Sequence, residues 1–151
     1  MSVQQRIFSA KLCEMEKQYE KFQAHLVTCQ QMEHEAIREE CRRMDQECME
    51  NEYILKQGMK GCRSRSARRL ADIQLEYMKK ADDILKNEMA DDMSDIEDRA
   101  ERRAEASTLY AEFSMDFAVQ AMRHAVRAAL SAIDAQMSCE EQKTQEQEEA
   151  Q

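Results

Sequence analysis

ADDMSDIEDRAE, residues 90–101, is the stretch on which the fold turns. Ser94 and Glu97 stand three apart, the spacing of a capping box, and acids crowd the start of the segment beyond. These are helix-start signals, and they predict that one helix ends and another begins here. Yet no glycine or proline forces a break. If the chain turns, it makes an all-α, elongated, antiparallel three-helix bundle. If it runs on, it makes a long two-helix coiled-coil hairpin. The start signals favour the bundle.

The helical state itself comes from composition. The 151 residues include no proline, no tryptophan and two glycines, Gly58 and Gly61. Turns and strand ends favour such residues, so their near absence argues against β structure. The remainder is rich in Ala, Glu, Gln, Met, Lys, Arg and Leu, all good helix formers.

Upstream, the spacing predicts a very long first helix, residues 2–57. Phe8, Leu12, Met15, Tyr19, Phe22, Leu26 and Cys29 step by four and three, as in a coiled coil. The stripe slips at Gln30, Glu33 and His34 and resumes with Ile37, Cys41, Met44, Cys48 and Leu55. At about 1.5 Å per residue such a helix would span roughly 84 Å. It should end at QGMKGCRSRSA, residues 57–67, where a glycine can take the left-handed cap and Ser64 or Ser66 can start the next helix. The second helix is expected over 64–90, with a stripe of Leu70, Ile73, Tyr77, Ala81 and Ile84. The third is expected over 94–138. One domain then covers 1–138. Residues 139–151, polar and low in complexity, are expected to be a disordered tail.

The third helix carries the clearest functional signal. At ~100° per residue, Phe113, Phe117, Ala121, His124 and Ala128 share one side. Met115, Val119, Met122, Val126, Leu130, Ile133 and Met137 share another, about 170° away. Alanines fill much of the arc between. An edge helix of a small bundle needs one apolar side. The first two helices have one stripe each, so the third has more apolar surface than they cover. The methionine-rich side, Met115 to Met137, is therefore the expected partner-binding surface, and methionine suits variable packing. A twofold homodimer is the simplest partner arrangement.

Charge is uneven around a net of -9. Lys60, Arg63, Arg65, Arg68 and Arg69 form a basic run without an acid, a candidate anion-binding tip. Cations at a helix start oppose its dipole. Glu47, Glu50 and Glu52 are expected to offset them across the turn. Residues 72–98 hold ten acids and three bases. Such a run can imitate a phosphate backbone, or can be a solvated helix face.

Catalytic chemistry finds no footing. There is no glycine-rich phosphate loop, no HExxH, no CxxC and no Glu-x-x-His pair. His34, Cys41 and Cys48 step by seven, about 10 Å along a helix, too far apart to share a metal ion. His25 and Cys29, four apart, make half a site. No cofactor and no enzymatic activity are expected. The opening residues MSVQQRIFSAKL hold no signal-peptide core, and Arg123, His124 and Arg127 make the apolar helix a poor membrane span. A cytoplasmic protein with free thiols at its six cysteines is expected.

Together these features predict a non-enzymatic helical protein-binding module: an adaptor, chaperone-like factor or inhibitor that self-associates through its last helix. The alternatives are an acidic nucleic-acid mimic, or nucleic-acid or phosphate binding by the basic tip. The heptad-like runs are too generic to suggest a family.

Overall fold

A computed structural model describes residues 3–149, and side chains from residue 6 to 149. Every regular element among them is helical: α1 Val3–Cys29, α2 His34–Gly61, α3 Arg65–Asn87, α4 Met89–Asp92 and α5 Arg99–Glu149.

The expected first helix is two helices. After Cys29 the chain tightens, with Gln31 N–H donating to Thr28 O at 3.2 Å and Met32 N–H to Cys29 O at 3.0 Å. Glu33 is then extended, at φ -67 and ψ 153, before α2 begins. No glycine or proline marks this break. It falls where the apolar stripe slips and the seam turns polar, so an unbroken rod gains no packing there. The anionic Glu33 and Glu35 suit the positive end of the α2 dipole.

The α2–α3 turn lies at the expected site but is made by another route. Neither glycine has positive φ. Gly58 and Gly61 both stay inside α2, and Cys62 is the extended residue that leaves it, its N–H donating to Met59 O at 3.2 Å. Ser64 caps α3 by accepting from Ala67 N–H at 3.2 Å.

The deciding stretch does break the helix. The chain leaves α4 at Asp92, crosses residues 93–98 without helix, and starts α5 at Arg99. The cap is Asp98 rather than Ser94. Its Oδ1 accepts from Glu101 N–H at 2.8 Å. Asp98 and Glu101 repeat the Ser94–Glu97 spacing four residues later, and aspartate caps as well as serine. The Arg102 guanidinium also donates back to Ile96 O, holding the turn against the first coil of α5.

At its far end α5 continues to Glu149, through residues that composition reads as a disordered tail. The polar Glu, Gln and Lys residues there offer nothing to a core. They are nonetheless good helix formers, and extending an existing helix avoids the nucleation cost.

The chain divides into two units, Met1–His25 with Glu112–Gln151, and Leu26–Ala111. In the second unit α2 packs beside α3 and α3 beside α4. Tyr110 Oη donates to Asp82 Oδ1 at 3.3 Å, tying the start of α5 to α3. Here lies Ala106, 1% exposed and the buried hydrophobic residue among those described. Leu75, Ala81 and Leu85 of α3 and Arg102 and Tyr110 of α5 are half-buried. The first unit has no buried residue among those described. Phe8 and Met15 of α1 and Ala129, Ala132, Ile133 and Gln136 of α5 are its half-buried positions, with His25.

Candidate functional site

The two sides of α5 fare alike. On the methionine-rich side Met115, Val119, Met122, Val126, Leu130 and Met137 are exposed, from 41% at Val126 to 61% at Leu130. Ile133 is half-buried. On the other side Phe113 and Phe117 are exposed, and their rings stack along the helix at 6.2 Å. His124, on the same side, is exposed too. Partial cover falls on the alanine arc between the two sides, at Ala129 and Ala132 with Ile133 and Gln136. Both bulky sides are left to solvent.

The other helices repeat the pattern. Of the α1 stripe, Phe8, Met15 and Cys29 are half-buried, while Leu12, Tyr19, Phe22 and Leu26 are exposed. Of the expected α3 stripe, Tyr77 and Ala81 are half-buried, while Leu70, Ile73 and Ile84 are exposed; Ala71, Leu75 and Leu85 complete the half-buried line. Leu75 sits beside the stripe in sequence, and only the arrival of neighbouring helices tells the two lines apart.

This leaves an unusual amount of surface. The accessible area is 13180 Å². That is roughly two-thirds above what a compact monomer of 17.7 kDa presents. Contiguous exposed apolar patches of more than a few hundred Å² are uncommon on monomeric proteins.

Charged residues pair along single helices. On α2, Arg42 reaches Glu39 at 2.9 Å, Arg43 reaches Glu40 and Glu47 (the latter at 3.0 Å), and Lys56 reaches Glu52. Gln46 donates to Glu50 at 2.8 Å. On α3, Lys80 pairs with Glu76 at 2.7 Å and holds that carboxyl below its usual value, first by hydrogen bonding and then by charge. Arg43 is held above its usual value, chiefly by its hydrogen bond to Glu40. Apart from half-buried Glu40 and Glu47 these groups are exposed, and such pairs contribute little to stability.

This pairing has a consequence for the basic run. Glu47, Glu50 and Glu52 are taken by partners on their own helix, so they do not offset Lys60, Arg63, Arg65, Arg68 and Arg69 across the turn. None of those five makes an ion pair among the described residues. Lys60, Arg63, Arg65, Arg68 and Arg69 are all exposed. The α3 first turn has no acid to relieve them.

Two hollows are polar. One of about 560 Å³ lies among the charged side chains of α2 alone, Glu39 to Glu50. The other, about 350 Å³, lies at the α3–α5 corner, with Lys86, Arg99, Arg102 and Arg103 facing Asp91 and Glu97. Its wall carries four cations against two carboxylates. Sequence spacing does not point to it, because its residues come together only through the 93–98 turn.

No cysteine among the described residues forms a disulfide. Cys41 and Cys48 are exposed, and no group of three or more His, Cys, Asp or Glu among the described residues is placed to hold a metal ion. No described helix is long and apolar enough to cross a membrane. No family model, no curated protein and no solved structure matches the chain.

Proposed function

We propose that the chain is a non-enzymatic, cytoplasmic helical protein-binding module, an adaptor, chaperone-like factor or inhibitor, whose contact surface is the methionine-rich side of α5. The observation that carries this reading is the exposure of Met115, Val119, Met122, Val126, Leu130 and Met137 on one helix. Side chains of this kind are stable in water when a partner covers them. The antiparallel bundle is part of the proposal as a scaffold, with α2, α3 and the start of α5 as its arms. The test is affinity purification of the tagged protein from its native cell, with and without Met122→Glu and Val126→Glu. Proteins that come down with the wild type and not with the variant support the reading. An unchanged set refutes it.

A second reading is favoured by the unpaired basic run. Five cations without a carboxylate partner at a helix start suit an acidic protein segment or a nucleic-acid backbone. Changing Arg63, Arg65, Arg68 and Arg69 to glutamine should abolish such binding. The wild-type affinity should fall steeply with salt. Salt-independent binding would remove this reading.

A further inference from the structure

The exposed stripe of α5 carries enough pattern to name what covers it. Met115, Val119, Met122 and Val126 step by four, three and four in two adjacent lines, and all four are exposed; Ala129 and Ile133, next in the same lines, are half-buried in this chain. This is the seam of a two-helix coiled coil. Along one flank, seven apart, stand Asp116, Arg123 and Leu130; along the other stand Ala118, Ala125 and Ala132. Asp116 and Arg123 are exposed and make no ion pair among the described residues.

When two copies of such a helix pair antiparallel about a twofold axis, each flank meets the same flank of the other copy. The charged flank therefore selects the register. Seating Met122 against Val126 of the other copy sets Arg123 against Arg123, a repulsion. Seating Met122 against Ile133 sets Arg123 beside Leu130 and Asp116 beside Met137, stranding both charges on apolar neighbours. Seating Met122 against Val119, and Met115 against Val126, sets Arg123 of each copy beside Asp116 of the other. That register makes two opposite-charge pairs related by the axis, and it brings Ala118 beside Ala125 so that the helices approach closely. A parallel pair would set the charged flank against alanines and form no ion pair.

The area supports the same occupant. A standard interface takes about 800 Å² from each partner. The surface this chain exposes beyond that of a compact monomer is several times larger. We infer that the Met115–Val126 part of the methionine-rich side of α5 is covered by the same part of a second copy, antiparallel, with Arg123 of each copy paired to Asp116 of the other. The inference rests on the protein-binding reading above and supplies its partner.

Sedimentation equilibrium on the full chain over roughly 1–100 µM tests it. The wild type should dimerise. Arg123→Asp turns two attractions into two repulsions and should weaken the dimer about tenfold. Asp116→Arg combined with Arg123→Asp should restore it, a rescue that misfolding cannot mimic. Both positions are exposed, and circular dichroism should show unchanged helix content. A monomer throughout the range overturns the inference, as does an Arg123→Asp dimer as tight as the wild type. If the chain is monomeric while Met122→Glu and Val126→Glu still remove a co-purifying protein, the second copy is excluded and the binding-module reading survives.

Discussion

The corner where α3, α4 and α5 meet and the middle of α5 are built differently. The corner combines polar and charged contacts at Asp82, Asp98, Arg102 and Tyr110 with half-buried Leu75, Leu85, Met93 and Ile96 and the buried Ala106. The middle of α5, residues 113–137, is the most apolar part of the chain, yet its large side chains are mostly exposed. Apolar residues gain cover at the corner, whereas most large ones in the middle of α5 do not. Where the chain reverses, a capped helix start and a few hydrogen bonds bring small residues together. Where α5 runs straight, its larger side chains are left without such cover among the described residues.

The contrast is most sharply tested by substitutions on each side of it. Met122→Glu with Val126→Glu should abolish self-association, a loss of more than roughly a hundredfold in affinity. It should leave the α3–α5 corner intact, as read by hydrogen exchange at residues 99–110. Loss of protection at the corner as well would mean that the two regions fold as one. Next in size, Ala106→Leu overfills the buried position and should lower stability by about 1–3 kcal/mol in urea titration. The same change at exposed Ala128 should be near neutral. Equal effects at the two positions would erase the distinction.

Asp98→Ala removes the α5 cap and should cost about 1 kcal/mol. Ser94→Ala, at the position that capping-box spacing favours, should cost much less, and a thermal melt of each variant compares them. The smallest effect is at Glu76. Its carboxyl is held below its usual value by Lys80. The pair therefore stabilises α3 at neutral pH, and that contribution is lost as pH falls through the lowered value. Because the pair is fully exposed, Glu76→Gln should leave the neutral-pH melt nearly unchanged and flatten its acid dependence slightly.

Several features were legible in the residues alone. Ser64 is a helix cap by type and by position, and it acts as one. The break near Ser94 was signalled, but four residues early, because Ser94–Glu97 and Asp98–Glu101 carry the same pattern. Spacing cannot rank two such signals. The Arg102 contact to Ile96 O and the half-buried Met93 and Ile96 belong to the later one. The break at residues 30–33 was visible as a slip in the stripe, though without glycine or proline it read as a continuous helix. The expected offset of the basic run by Glu47, Glu50 and Glu52 failed for a local reason. Residues three and four apart on one helix meet at little entropic cost, so Arg43, Gln46 and Lys56 reach those carboxylates first.

By itself the sequence determined that this chain is helical and where α3 begins. It also determined that α5 has two bulky sides separated by alanine. These are properties of residues within a few positions of one another, and helix formation depends on such neighbours. Only the tertiary structure decided that Leu75 and not Ile73 turns inward, that Ala106 is buried, and that both bulky sides of α5 stay open. Burial depends on which distant segment arrives, and no spacing along one helix records that.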